Sequence, residues 1–175
     1  MNYATIKNCD IANGTGVRIS LFVSGCPHRC PGCFNSEAWD YGYGEPFTQE
    51  TEEHLLTLLA PGYVNGLSLL GGEPFAPPNQ PAVVSFLRRV RERYPDKTVW
   101  CYSGYTWEAL TDPHHAVRTS VTDEMLSYLD VLVDGPYLEE FYDISLRFRG
   151  SCNQRILDVP LSLERGEPVL WDGVK

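Results

Sequence analysis

Three cysteines crowd into one short segment of the chain. Cys26, Cys30 and Cys33 lie within eight residues, in the spacing C-x-x-x-C-x-x-C. Thiolates this close together chelate zinc or an iron–sulfur cluster in intracellular proteins. Structural zinc normally takes four ligands, and no second C-x-x-C pair follows downstream. Three cysteine ligands suit a 4Fe–4S cluster whose fourth iron has no protein ligand, so the spacing favours a cluster that can bind something else.

The cysteine loop follows a predicted strand, and this arrangement recurs along the chain. Segment 17–23 becomes wholly apolar, as a buried strand does, and similar strands are predicted at 66–70, 98–102 and 131–133. Helices are predicted between them, from an N-cap at Thr48, from Pro81, and over 120–129. Outer strands are predicted at 3–7 and at 155–159, the latter closed by Pro160. This order predicts an α/β fold with a mainly parallel sheet, whose carboxyl edge carries the cysteine loop.

Composition narrows the class of protein. The 175 residues suit one domain that needs no disulfide staples, so the six cysteines are expected to be reduced. No apolar run reaches the length of about 20 residues that a membrane helix needs, and no signal peptide is recognisable, so we expect a cytoplasmic protein without membrane contact. Fourteen basic against 23 acidic side chains give a net charge of −9, which argues against nucleic acid as a partner.

The cysteine spacing matches the signature of the radical S-adenosylmethionine (SAM) enzymes, and other motifs extend the match. They occur in order at 13–18, 26–35, 71–74, 134–136 and 149–155. In this order they resemble the branch that activates anaerobic ribonucleoside-triphosphate reductase. The resemblance covers nearly the whole chain and is least distinctive from about residue 160. It implies a single radical SAM domain over 1–175, folded as an incomplete (β/α) barrel; periodicity alone leaves an open doubly wound sheet equally possible.

The resemblance also implies a set of site residues. Cys26, Cys30 and Cys33 would bind the 4Fe–4S cluster, and SAM would chelate its open iron. The strand-end backbone of a Gly-Gly-Glu-Pro element would bind the methionine amino group. Many relatives carry an aromatic residue where this chain has Gly32, so adenine would meet the neighbouring backbone or the Phe34 ring. Together with two polar strand ends, the residues expected to contact SAM are Gly32, Cys33, Phe34, Gly71, Gly72, Glu73, Ser103 and Asp134.

The chemistry implied by the resemblance needs no catalytic side chain. A reduced cluster would pass one electron to SAM, giving methionine and a 5'-deoxyadenosyl radical. That radical would take hydrogen from a backbone glycine of the anaerobic reductase, leaving a glycyl radical. Reduced flavodoxin or a similar donor would supply the electron.

Three other functions are also compatible with these motifs. The protein would activate another glycyl-radical enzyme such as pyruvate formate-lyase, act on a small metabolite, or serve as a non-catalytic zinc adaptor with a fourth ligand from Cys9, His28 or a distant residue. The short chain and the motif at 149–155 favour the reductase branch.

Several charged residues and thiols have open roles. Arg147, Arg149 and Arg155 would grip the SAM carboxylate, contact the partner protein or lie on a solvated surface. The arginines between 88 and 93 are interpreted as a solvated helix face. Cys101 is predicted to be a buried thiol and Cys9 a packing residue, whereas the role of Cys152 stays open.

Overall fold

The computed structural model describes residues 1–173 and contains one mixed sheet. Its seven strands are β1 (Asn2–Asp10), β2 (Val17–Val23), β3 (Glu45–Pro46), β4 (Val64–Gly71), β5 (Thr98–Tyr102), β6 (Val131–Asp134) and β7 (Arg155–Asp158). They lie in the order β3-β1-β2-β4-β5-β6-β7. Strands β2, β4, β5 and β6 pair in parallel, whereas β1, β3 and β7 pair antiparallel at the two sides. The prediction of a mostly parallel sheet is therefore confirmed.

Five α-helices connect or follow these strands. They are α1 (Gln49–Leu59), α2 (Gln80–Arg93), α3 (Trp107–Thr111), α4 (Thr122–Ser127) and α5 (Val159–Arg165). The Thr48 hydroxyl caps α1 by accepting a hydrogen bond from the Thr51 amide, as the sequence predicts. Pro81 lies in the first turn of α2, also as predicted. The helix expected to continue to residue 129 is α4, which ends at Ser127.

The C-terminal part differs from the sequence-based expectation at Pro160. This proline does not simply close a strand, because it lies in the first turn of α5. A proline is tolerated there since its missing N–H has no intrahelical acceptor in any case. The Asp158 carboxylate caps the helix by accepting from the Leu161 amide at 2.9 Å. Strand β7 therefore ends at Asp158, one residue earlier than predicted, and runs antiparallel to β6.

All five helices contribute buried side chains to one apolar cluster on a single face of the sheet. The strand residues of this cluster include Ile19, Leu21, Leu67, Leu69, Val99, Cys101 and Leu132. Cys101 is thus buried, as predicted. A doubly wound sheet would carry helices on both faces, whereas here the opposite face packs Trp100, Val131, Val133 and Ile156 against Phe148 and Trp171 from the C-terminal third of the chain. The layer of helices is one-sided.

Arg18 lies buried on this second face of the sheet, near the start of β2. The side chain is fully buried, and its guanidinium donates to the Ser68 hydroxyl at 2.7 Å and to the carbonyl oxygens of Leu67 and Thr98 at 2.6 and 2.9 Å. It also lies over the Trp100 ring, 5.5 Å from the centroid. Burial lowers the pKa of Arg18 to about 10, which still leaves the group charged at neutral pH.

The glycines before Arg18 serve this packing. A Cβ atom on Gly14, whose φ is +122°, would lie 2.8 Å from the Arg18 side chain and 2.9 Å from the Trp100 ring. The motif at 13–18 therefore has a structural role, since it lets the loop pass directly over a buried arginine.

The arginines of α2 are paired more than the prediction of a solvated face implied. Arg91 donates to the Tyr128 carbonyl and to the Asp130 carboxylate at 2.7 Å. Arg88 and Arg89 form ion pairs with glutamates of α4 and α1, respectively. Residues on other helices and loops, which periodicity along α2 does not specify, thus supply the partners.

Within residues 1–173, no helix has both the length and the apolar character needed to cross a bilayer.

Replacing Arg18 with alanine should strongly destabilise the fold. The change leaves a cavity and removes the donor of three acceptors, two of them buried, so we expect the free energy of unfolding to fall by about 3 kcal/mol. Chemical denaturation under anaerobic conditions would measure it. Arg88→Ala on the outer surface of α2 is the matched control and should cost much less; equal losses would contradict the structural role of Arg18.

Candidate functional site

A cavity of about 510 Å³ opens at the carboxyl edge of the four parallel strands. Eight of the residues expected to bind a cluster or SAM line it: Cys26, Cys30, Cys33, Phe34, Gly71, Gly72, Glu73 and Ser103. Gly32 and Asp134 are not in the lining. The fold thus brings together segments that are up to about 80 residues apart in the chain, which is the position where parallel α/β sheets bind ligands.

The backbone fixes the cysteine loop at its start. Gly25, with φ at +94°, turns the chain out of β2, and a Cβ there would overlap the Tyr41 ring. The amides of Gly25 and Cys26 then donate to the carbonyls of Ala38 and Trp39 at 2.8 and 3.1 Å. Further on, the Cys33 amide bonds the Cys30 carbonyl at 3.1 Å, which forms a turn between the last two cysteines. The loop is therefore pinned by its own backbone and by the 3₁₀ turn Ser36–Trp39.

The three thiols are half-buried and unpaired. Burial raises the pKa of Cys26 to about 11 and also raises the pKa of Cys30. A thiolate is costly in such surroundings unless a cation compensates its charge, which is the situation of a metal ligand. Within residues 1–173 no three Cys, His or carboxylate side chains converge on a single point. A cubane cluster binds each of its cysteines through a different iron. Three cysteines that do not meet at a single point therefore still suit a cluster.

The two glycines at the end of β4, Gly71 within the strand and Gly72 just after it, allow this end to approach β2 closely. A Cβ on Gly71, whose φ is +102°, would lie 2.8 Å from the Phe22 Cα, and one on Gly72 would lie 2.6 Å from the Gly25 carbonyl oxygen. The Gly72 amide donates to the Val23 carbonyl at 2.7 Å, and the Glu73 amide donates to Gly25 at 2.8 Å. The pair therefore joins the end of β4 to the start of the cysteine loop.

The Glu73 carboxylate accepts four hydrogen bonds while being only 1% exposed. Oε1 accepts from the Phe75 amide and the Ser103 hydroxyl, both at 2.9 Å. Oε2 accepts from the Gly104 amide at 2.8 Å and lies 2.9 Å from His28 Nε2. This one carboxylate therefore connects the ends of β4 and β5 with the cysteine loop.

The sequence analysis predicted that Glu73 contacts SAM and named His28 only as a possible fourth ligand of zinc. In the structure the two side chains pair with each other, and the His28 ring packs edge-on against Tyr105 with centroids 4.4 Å apart. A Cβ on Gly104 would lie 2.5 Å from His28, so glycine is needed at that contact. No spacing rule signals this interaction, because His28 and Glu73 are 45 positions apart.

The two polar strand ends predicted to meet SAM have different positions. The Ser103 hydroxyl donates to Glu73 and accepts from the Tyr105 amide at 3.1 Å, so it is part of the same network at the cavity wall. The buried Asp134 carboxylate accepts from the Trp107 amide at 2.7 Å and from Arg155 Nε at 3.0 Å. At the end of β6, the neighbouring Gly135 lines the cavity in its place.

Arg155 is occupied by carboxylates. Besides Asp134 it binds Glu108 of α3, Nη2 to Oε2 at 2.8 Å, and this hydrogen bond lowers the pKa of Glu108 to about 2. Arg155 therefore anchors β7 to α3 and does not line the cavity, whereas Arg149 does. Arg149 donates to the Gln154 backbone carbonyl at 2.7 Å, and the Gln154 side chain donates through Nε2 to the Gly135 carbonyl at 3.1 Å. The motif at 149–155 thus builds the far wall of the cavity.

Gly32 and Phe34 occupy the rim. Gly32 has φ at +71°, so an aromatic residue at this position would be strained by the left-handed backbone conformation. The Phe34 side chain is 70% exposed, and its ring lies 5.4 Å from Tyr137 and 5.9 Å from Tyr142.

Tyr102 is a cavity residue that the sequence analysis missed. It ends β5, lines the cavity, and has a buried hydroxyl with no hydrogen-bond partner among residues 1–173. Burial raises the pKa of this phenol, so it stays protonated and available as a donor. Its position at the end of a predicted strand was the available signal.

Comparison with known proteins identifies the chain's relatives. Residues 12–157 match the model of the 4Fe-4S single cluster domain. The anaerobic ribonucleoside-triphosphate reductase-activating protein of Vibrio cholerae is 42% identical over 158 residues, which are 89% of this chain and 97% of that protein. The proteins of the same name from phage T4 and Escherichia coli K12 are 38% and 39% identical, covering 89% and 88% of this chain and 93% and 96% of their own lengths. This chain belongs to the family of anaerobic ribonucleoside-triphosphate reductase-activating proteins, which carry a 4Fe-4S domain.

Proposed function

We propose that this protein is a radical SAM activase that installs a glycyl radical on anaerobic ribonucleoside-triphosphate reductase. The observation that carries the proposal is the convergence of three unpaired thiols with the ends of the parallel strands around one cavity. The names of its relatives support the reductase as the protein substrate. The motif match along the chain supports a single radical SAM domain over 1–175.

The proposed fold class is the incomplete (β/α) barrel. The one-sided layer of helices supports it, because a barrel also keeps its helices on the outer face and its ligands at the carboxyl ends of the strands. The sheet order leaves β3 and β7 at its edges. An open form of this kind gives a protein substrate access to the cavity.

Cys26, Cys30 and Cys33 would hold a 4Fe–4S cluster and leave its fourth iron open to SAM. When bound and reduced, the cluster supplies one electron that splits SAM into methionine and a 5'-deoxyadenosyl radical. Reduced flavodoxin or a similar cytoplasmic donor would provide that electron.

The remaining cavity residues would position SAM. A volume of about 510 Å³ lies within the range of small-molecule sites, about 300–1,000 Å³. The amides of Gly72 and Glu73 already bond to the Val23 and Gly25 carbonyls, so the carbonyl side of this strand end is left to accept from the methionine amino group. The backbone from Gly32 to Cys33 and the Phe34 ring would flank adenine.

The polar groups at the strand ends would have distinct parts in this arrangement. Glu73 and Ser103 hold the wall in place through their mutual hydrogen bond. The Tyr102 hydroxyl is free to donate to the ligand. Asp134 would act through Arg155 and the Trp107 amide, and so orient the strand end from which Gly135 meets the cavity.

The cluster assignment predicts that alanine at any of Cys26, Cys30 or Cys33 abolishes SAM cleavage. After anaerobic reconstitution, iron and acid-labile sulfide should fall sharply in each variant because a ligand is missing. With dithionite and SAM, 5'-deoxyadenosine measured by chromatography should disappear. Cys152→Ala, an exposed thiol outside the cavity, is the control and should match the unmodified protein.

The same preparation separates the competing functions. Zinc in place of iron would contradict the enzyme and favour an adaptor. Cleavage of SAM without a glycyl radical on the reductase, as seen by electron paramagnetic resonance, would point to another substrate.

Glu73→Gln should weaken the site although all three cysteine ligands remain in place. The new amide group would turn an NH₂ donor toward hydrogen-bond donors that now meet a carboxylate oxygen. Changing a residue that orients metal ligands typically lowers metal affinity or activity by about 10–100-fold. We therefore expect cluster retention or SAM affinity to drop by about 10-fold or more. Iron content and equilibrium dialysis with SAM would measure both. Glu92→Gln on exposed α2 is the control; a Glu73 variant equal to it would contradict the positioning role.

A further inference from the structure

Exposed apolar side chains gather beside the cavity. The mouth patch consists of the exposed Phe34, Phe141, Tyr142 and Ile144 together with the half-buried Tyr137. Phe34 is 70% exposed, Tyr142 46% and Ile144 88%, which is unusual for large apolar residues that lie close together. The Phe34 ring contacts both Tyr137 and Tyr142, so the patch joins the cysteine loop to the segment 137–144.

The mouth patch is continuous with the cavity. Phe34 and Tyr137 belong to the patch and also line the cavity, whereas Phe141, Tyr142 and Ile144 lie outside the lining. The Phe34 and Tyr137 rings rest on the backbone at Gly150, where a Cβ would lie 3.1 Å from Tyr137 and 3.6 Å from Phe34. A chain entering the cavity from this side would therefore pass over the patch.

We propose that the mouth patch binds the segment of the reductase that carries the target glycine; this inference rests on the proposed function. In that reaction the 5'-deoxyadenosyl radical takes a hydrogen atom from the glycine Cα, so one C–H bond breaks, another forms, and 5'-deoxyadenosine and a glycyl radical result. The transfer requires the glycine backbone to reach the cavity. The residues flanking the glycine must then cover its mouth.

The chemistry of the mouth patch defines the segment that fits it. Exposed aromatic side chains dominate protein-binding energetics, which favours apolar side chains beside the glycine. The exposed carboxylates of Glu139, Glu140 and Asp143 border the patch. We therefore expect the bound segment to place apolar residues at its centre and basic residues at its edge.

The double variant Tyr142→Ser/Ile144→Ser tests this role without touching the cavity lining. Reconstituted protein is reduced with dithionite and given SAM, first alone and then with increasing concentrations of purified reductase. We expect unchanged 5'-deoxyadenosine formation without reductase. The reductase concentration that gives half-maximal glycyl radical should rise by about tenfold or more, as for loss of interface hot spots.

Two further variants serve as controls. Tyr63→Ser removes an aromatic residue that is 61% exposed and precedes β4, at the opposite end of that strand from the cavity. Tyr142→Phe keeps the ring of the patch. Both should activate the reductase at the concentrations that the unmodified protein requires.

The outcomes distinguish the two proposals. If the unmodified protein makes 5'-deoxyadenosine but no glycyl radical on the reductase, the proposed function fails and the docking proposal falls with it. If the unmodified protein activates the reductase and the double variant does so equally well, only the docking proposal is overturned. Parallel loss of radical formation and of reductase-independent SAM cleavage in the double variant would also overturn it, because the patch would then serve the cofactor site.

Discussion

The buried carboxylate of Glu73 is the interaction on which the geometry of the site depends. A charge with 1% exposure is tolerated only when hydrogen bonds replace its water, and here four donors do so. They come from three separate parts of the chain: the cysteine loop, the turn after β4 and the turn after β5. Satisfying one carboxylate therefore forces these segments into a single arrangement at the carboxyl edge of the sheet.

The one-sided helix layer explains why a cavity exists there. Helices cover one face of the sheet, whereas the other face is filled by side chains only over part of its length. Near the start of β2, buried Arg18 and the Trp100 ring occupy the space and bind the loop above them. Toward the strand ends, glycines replace large side chains and open space remains. Arg18 and the cavity thus lie at opposite ends of the same face of the sheet.

Several residues chosen from motifs have packing roles in the structure, whether or not they line the cavity. Gly71 and Gly72 line the cavity, but their missing side chains also let β4 approach the chain after β2. Asp134 begins one motif and Arg155 ends another, and in the structure their opposite charges pair beside α3. A motif marks positions that need a particular residue. It does not tell whether the residue is needed to contact a ligand or to pack against neighbouring backbone.

The sequence by itself determined every strand except β3, the starts of α1 and α2, the order of the parallel units and the cysteine spacing, because these follow from local periodicity, caps and turn residues. It also determined the family, since the motifs occur in a fixed order. Only the tertiary structure decided which side of the sheet the helices cover and which distant side chains pair, namely His28 with Glu73 and Asp134 with Arg155. It alone also showed that Tyr102 and Tyr137 line the cavity. Those features join residues about 20 to 100 positions apart, and such contacts depend on how the layers pack rather than on any local pattern.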